Sequence, residues 1–328
     1  MTNRLLALID RFRRARLVVV GDLVADEFIY GRVSRLSREA PVLILEYDAT
    51  EIVPGGAGNA AANVAALGGK VTLAGAAGRD GIGDRLVAAL QERDVRLDIA
   101  RPRDMATPVK TRILAGGIHS VKQQIVRIDR QGGGASKAAV VRDVVARAKR
   151  AARKADAIIA SDYGSGLITS RTIDRIRPRH AQLFVDSRYR LLDYRGMTAC
   201  TPNESEVESV LGVRMNDDAK VLEKAGRTLL RKTGAEAMLI TRGSRGMALF
   251  EPRLPTLRVP IFGSDEVADV TGAGDTVIAT FALARAAGAT FEEAARLANV
   301  AGGLVVMKRG TATISAGELR AAVRSGGL

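Results

Sequence analysis

Tryptophan is absent from this chain, cysteine occurs once (Cys200) and histidine twice (His119 and His180). A single cysteine excludes an intramolecular disulfide and any cysteine cluster for zinc. Two histidines offer little material for a histidine-based metal site or a catalytic dyad. Aromatics make up only 4% of residues, which leaves few stacking platforms for nucleic-acid bases. Long apolar runs are missing as well. Leu5 to Ile9 is too short for a signal-peptide core, and no other run approaches the roughly 18 residues of a membrane span. These gaps favour a reducing cytoplasm and no membrane partner.

The 328 residues, 47% hydrophobic and 26% charged, suffice for a large α/β domain with a sizeable core. The net charge is +14, from 50 basic and 36 acidic residues. The longest basic run outside the N-terminus, Arg147 to Lys154, follows Val140, Val141, Val144 and Val145 at helical spacing. Its charges therefore read as the solvated face of an amphipathic helix rather than a nucleic-acid surface. A positive field of this size steers small anions such as nucleotides or sugar phosphates. The N-terminal segment reads as an amphipathic helix capping the domain.

Buried strand patterns alternate with helical ones, which predicts a doubly wound, mainly parallel sheet. "RLVVVGD", "KVTLAGAAG", "ADAIIASDYG", "QLFVDS" and "AEAMLITRGSRGMALF" read as strands. "GNAAANVAALGG", "GDRLVAALQERDV" and two alanine-rich segments near 273–287 and 291–307 read as helices. Two stretches, about 27–53 and 107–130, carry strand and turn patterns instead. "VKTRIL" and "QQIVRID" alternate with period two around a glycine-containing turn, as in a hairpin. One domain over residues 1–328, with a small β-sheet lid made from those two insertions, is the economical organisation.

Five segments carry candidate chemistry. In "DVTGAGD", Gly272, Ala273 and Gly274 open a helix without the lysine of a Walker loop. Their N–H groups suit phosphoryl oxygens, while Asp275 suits a base for a neutral hydroxyl. An ordinary helix start would look the same. In "TPNESE", Asn203 and Glu206 can face a hydrated Mg²⁺, although their spacing also satisfies a helix capping box. "PGGAGNAAAN" pairs Gly55 and Gly56 with Asn59 and Asn63, suited to sugar hydroxyls or to tight packing. "GDLVAD" puts Asp22 and Asp26 at the carboxyl end of the first strand, where open α/β sheets bind ligands. "TRGSRG" has Gly243 and Gly246 in either a nucleotide-facing turn or a hairpin.

Taken in order, these motifs resemble the ribokinase-like (PfkB-type) carbohydrate kinases from about Leu17 to Ile314. The resemblance implies an α/β sheet with a β lid, and ATP phosphorylating a sugar hydroxyl with Mg²⁺. It makes Asp275 the general base and Gly272, Ala273 and Gly274 the anion hole. Asp26, Gly55, Gly56 and Asn59 would hold the sugar. Asn203 and Glu206 would organise metal-bound phosphates, Glu206 through water, and Thr241, Gly243, Gly246 and Asn299 would lie near the nucleotide.

"SRLSREAPVLI", "SDYGSG", "RGTATIS" and "GAGDTVIA" look most like the heptose 7-phosphate kinases. The chain departs from that group at Ser165, where its members carry lysine, and the nucleotidyltransferase domain often found with them has no counterpart in these residues. Arg35, Lys110, Arg127 and Arg38 are basic lid residues that could hold a substrate phosphate instead. A kinase for an unphosphorylated sugar or nucleoside, and a non-catalytic sugar or nucleotide sensor, are the alternatives. The intact Asp275 argues against the sensor. Apolar alternation in "VLILEY" predicts a homodimer through the lid, since an uncovered edge strand tends to pair.

Overall fold

The computed structural model describes residues 1–116, 122–133, 137–263, 269–308 and 310–326. His119, the turn of the second hairpin and Arg309 of "RGTATIS" lie outside the described residues. Helix α1 (Thr2–Arg11) leads into β1 (Arg16–Gly21), where "RLVVVG" is buried after its first residue. A long hairpin follows, β2 (Leu23–Leu36) and β3 (Leu43–Gly56), and then α2 (Ala57–Ala66) and β4 (Lys70–Ala74). Next come α3 (Gly81–Gln91), β5 (Arg96–Leu97), and the second hairpin, β6 (Val109–Gly116) and β7 (Gln123–Arg130). The chain continues as α4 (Lys137–Ala152), β8 (Ala157–Asp162), α5 (Ser170–Ile176), β9 (Gln182–Ser187) and β10 (Ala199–Cys200). After α6 (Glu204–Leu211) and α7 (Ala219–Thr233) come β11 (Ala237–Thr241), β12 (Met247–Phe250) and β13 (Leu257–Val259). Three helices close the fold: α8 (Ala273–Ala286), α9 (Phe291–Val306) and α10 (Ala316–Arg324).

Nine strands form one sheet in the order β13-β12-β11-β10-β9-β8-β1-β4-β5. All neighbours are parallel except β12, which runs antiparallel to β11 and β13. The period of two along β1 sends Leu17 and Val19 into one core and Val18 and Val20 into the other. The first core lies under α1, α2, α8 and α9, the second under α4, α5 and α7. Both faces are covered, as an internal parallel strand requires.

The four remaining strands form the second sheet, β3-β2-β6-β7. It is longer than the insertions read from sequence, because β2 pairs with β3 from Leu23↔Gly56 to Leu36↔Leu43. The buried residues Leu23 to Phe28 and Val53 to Gly56 root it in the main body, while every residue of β7 is exposed. Asp26 belongs to this sheet. Only Asp22 lies at the carboxyl end of β1, because the chain turns into β2 directly after it.

The basic run sits on α4, where Arg147 and Arg150 bond Asp98 and the buried face is Val144, Val145, Ala148 and Ala152. No described helix is long and apolar enough to cross a membrane. Helix α1 caps the body with Leu5, Leu8 and Ile9 buried, followed by buried Phe12, and its Asp10 and Leu6 carbonyl accept from Arg320 of α10. Leu8 is fully buried, so Leu8→Ala is expected to destabilise the protein by about 2–5 kcal/mol. Urea unfolding measures this. A loss near zero would mean that α1 is not packed on the body.

Candidate active site

The loops after β1, β8 and β9, the roots of β2 and β3, and the start of α8 converge at the carboxyl edge of the parallel sheet. Asp275 stands in the first turn of α8 and is 4% exposed. Asn59 Nδ2 donates to its Oδ2 at 2.8 Å, and the Tyr163 hydroxyl donates to its Oδ1 at 3.2 Å. The asparagine is itself held. Asn63 Nδ2 donates to Asn59 Oδ1 at 3.2 Å, and Thr276 Oγ1 donates to Asn63 Oδ1 at 2.9 Å. Helices α2 and α8 are thus tied by a chain of buried hydrogen bonds that ends on the carboxylate.

Gly272 adopts φ +79° as the N-cap of α8, and a Cβ there would lie 2.5 Å from Asn59 Nδ2. Glycine is required by both conformation and space. The expected set of three donors needs correction. The Ala273 N–H bonds the Val270 carbonyl at 3.2 Å and closes the turn, so it is not available to a ligand. Gly272, Gly274 and Asp275 supply N–H groups with no acceptor among the described residues, and the space beside Gly274 is open.

Burial raises the Asp275 carboxyl to about 7, against the opposing hydrogen bonds from Asn59 and Tyr163. Asp26 is buried nearby and forms an ion pair with Arg112 at 2.5 Å. Gly55 is needed because a Cβ there would overlap Asp26 Oδ2. Gly56, at φ +56°, begins α2 and faces the Tyr163 ring. The structure therefore assembles Asp26, Gly55, Gly56, Asn59, Gly272, Gly274 and Asp275.

The nucleotide-side candidates have local tasks. Asn203 and Glu206 form the capping box of α6, with reciprocal bonds of 2.9 and 3.0 Å. Asn203 Nδ2 and Glu206 Oε1 are left without partners among the described residues, and burial raises the Glu206 carboxyl. "TRGSRG" is a hairpin: Thr241 pairs with Met247 around a turn at Gly243–Arg245, and Gly246 lies against β13. Thr241 is also bridged to Asn203, which sets the two segments side by side. The Asn299 amide is committed to the Pro260 carbonyl at 2.8 Å. The chain does not bring its own Arg35 to the site. That arginine is exposed at the far end of β2, nine residues from Asp26, or about 30 Å of strand, and Arg38 lies beyond it.

A cavity of about 590 Å³ adjoins the site. It is lined by the turn after β8, by lid strands β6 and β7, and by the start of α4. Tyr163 lines this cavity while its hydroxyl reaches Asp275.

A model of the pfkB family of carbohydrate kinases matches residues 14–316. The chain belongs to that family. It is 40% identical over 319 residues to "Bifunctional protein HldE" of Desulfatibacillum aliphaticivorans, covering 95% of this chain and 64% of that protein. The protein of that name from Pseudomonas aeruginosa PAO1 is 39% identical over 321 residues, 96% of this chain and 65% of its own length. The chain thus spans less than two thirds of these relatives. Phosphofructokinase-2 from Escherichia coli in complex with potassium superposes with a TM-score of 0.78 at 18% identity, covering 95% and 99% of the two chains. Arabidopsis thaliana ribokinase complexed with ribose and ATP gives 0.74 at 20% identity, covering 94% and 99%. These similarities establish the ribokinase-like fold.

Several residues of this candidate site escaped the sequence reading. Tyr163 was visible only as part of "SDYGSG", a glycine-rich turn after a strand. Arg112 sits in period-two alternation, where an inward arginine looks like any other. Asp186, at the end of "QLFVDS", is partly buried. Desolvation holds it well above the usual carboxylate range, and Asp275, Glu206 and Asp162 add to the effect.

The Asp275 carboxyl binds its proton more tightly folded than unfolded, so stability declines from about pH 4 to about pH 7. The displacement corresponds to at most about 4 kcal/mol. The attraction of the helix terminus for an anion, about 0.3–1 kcal/mol, is smaller. Asp275→Asn cannot ionise and is expected to raise Tm at pH 8, with the gain disappearing towards pH 4. An equal or lower Tm at pH 8 would contradict a burial penalty on this carboxylate.

Proposed function

We propose that the chain transfers the γ-phosphoryl group of ATP to a hydroxyl of a sugar phosphate of the heptose 7-phosphate type. Family membership supports sugar phosphorylation, and the motifs "SRLSREAPVLI" and "SDYGSG" support the heptose acceptor. The observation that carries the chemistry is a buried carboxyl, raised to about 7, beside uncommitted N–H groups at a helix start. A base with that affinity for protons is poised for work at neutral pH.

In this reading the acceptor oxygen bonds the γ-phosphorus as the bond to the departing ADP oxygen breaks, and the hydroxyl proton passes to Asp275. The N–H groups of Gly272, Gly274 and Asp275 hold phosphoryl oxygens, and Asn59 and Tyr163 keep the carboxylate aimed. Asp26 and the Gly55–Gly56 turn hold acceptor hydroxyls, with Arg112 fixing Asp26. Asn203, Thr241 and the Gly243–Gly246 hairpin shape the nucleotide side, and Asn299 supports it through Pro260.

The described residues contain no cluster of three or more metal-ligating side chains. Asp186 and the available Glu206 oxygen nevertheless suit an Mg²⁺ that keeps waters and phosphate oxygens as its other ligands. Such an ion, when bound, neutralises charge on the transferring phosphates. The single cysteine, buried and free, suits a cytoplasmic location.

The lid supports a homodimer. Val33 and Leu36 of β2, Leu43 and Tyr47 of β3, and Val126 and Ile128 of β7 are exposed, and apolar side chains gathered on one surface mark an interaction site. Sedimentation at micromolar concentration is expected to show a dimer that Ile128→Lys weakens. A monomer for the unmodified chain would refute this assembly.

Asp275→Asn is expected to lower kcat by roughly 10²–10⁴-fold while ATP affinity changes little. Near-normal turnover in the folded variant would remove Asp275 as the base.

A further inference from the structure

Five cationic side chains line the cavity beside Tyr163: Lys110, Arg127, Arg130, Lys137 and Arg188. Two are neutralised locally. Arg127 grips Asp129 through two bonds of 2.7 and 2.5 Å, and Arg130 pairs with Glu27 at 3.1 Å. Lys110, Lys137 and Arg188 have no salt-bridge partner among the described residues, and they come from three separate elements: lid strand β6, the first turn of α4, and the loop after β9.

All three gather over one turn. The Lys110 ammonium lies 5.1 Å from the centre of the Tyr163 ring. The Lys137 ammonium covers Gly166, where a Cβ would come within 2.6 Å of it. Tyr189, which stacks with Arg188 at 5.6 Å, covers Gly164 between them. The turn supplies no cation of its own, since residues 163–166 are Tyr-Gly-Ser-Gly, and its Ser165 Oγ and N and Tyr163 N–H are spent on Asp22. Lys137 also stands at a helix start, where the helix dipole disfavours a cation. Burial lowers the Lys110 ammonium from its usual range, with Arg127 and Arg188 contributing and Asp26 and Asp129 opposing. Like charges held together in a cavity are repulsive unless an anion completes them.

We infer that Lys110, Lys137 and Arg188 form a second anion subsite, which binds the phosphate already carried by the acceptor. This rests on the kinase reading and deepens it. The subsite and Asp275 lie at different parts of Tyr163, so the acceptor's phosphate sits at the end remote from the hydroxyl that reacts. Selectivity for a phosphorylated acceptor then comes largely from outside the lid. Lys137 on α4 and Arg188 after β9 act with the single lid residue Lys110, and the distal lid arginines Arg35 and Arg38 take no part.

The test compares ATP-dependent transfer to five- to seven-carbon sugar phosphates with transfer to the same sugars lacking the phosphate. Lys137→Gln and Arg188→Gln are each expected to cut the ratio of kcat/KM, phosphorylated over unphosphorylated, by about 10–100-fold, the value of a charge-assisted contact. Arg35→Ala is expected to leave that ratio unchanged. Melting temperatures identify any variant that fails to fold, and for such a variant Lys137→Arg, which keeps the charge, should retain the ratio. Transfer to unphosphorylated sugars as efficient as to their phosphates, or equal losses on both, overturns the subsite and leaves the kinase reading intact. Absence of transfer to every acceptor overturns the kinase reading together with it.

Discussion

The hydrogen bond from Asn59 to Asp275 joins the two halves of this protein. It runs between α2, which follows the lid hairpin, and α8, which opens the C-terminal helical layer. A buried carboxylate is costly to ionise and needs donors. Here the donors arrive from a helix more than two hundred residues earlier in the chain and from the turn after β8. Much of the nearby sequence answers that need. Gly272 makes room for the amide, Asn63 orients it, and Thr276 orients Asn63. The same carboxylate that stresses the fold is thereby held in one orientation.

The electrostatics divide the site into two territories. Asp186, Glu206 and Asp275 make one side acidic, which suits a divalent cation that arrives with a nucleotide. Lys110, Lys137 and Arg188 make the other side basic. Arg188 is near enough to the acidic side to lower the proton affinity of Asp186 and Glu206. Strong opposing charges can sit so close because each group is fixed by a different element of the scaffold, and preorganised charges need little rearrangement when a ligand arrives.

The architecture was legible in the sequence because period two and period 3.6 are properties of consecutive residues. "RLVVVG", "AIIASD" and the alanine-rich helices declared themselves in that way. Within the site, the glycine turn at 272–274, Asp275, Asn59 and the Gly55–Gly56 pair were legible from local chemistry. Partnerships across the chain were not. Arg112 pairs with Asp26 only because β6 lies beside β2. Lys137 reaches Gly166 only because α4 starts above that turn. Arg35 looked like a ligand for the opposite reason: composition does not report that a strand carries a residue away from the site. The capping box at Asn203 and Glu206 shows a third limit, since one spacing serves two purposes and only the fold separates them.

The irregularities of the long β2–β3 ladder fall between Tyr30 and Gly31 and between Val33 and Arg35. Both lie beyond Asp26, whose own stretch pairs in unbroken register from Leu23 to Tyr30. A slip of one residue turns every side chain of a strand to the opposite face. A bulge placed outside the grip absorbs such a slip before it reaches the carboxylate. The outer ladder can therefore gain or lose residues, and change what it presents to its surroundings, while Asp26 keeps its orientation. A change in the length of this strand is expected to be tolerated beyond Gly31 and to disturb Asp26 before it.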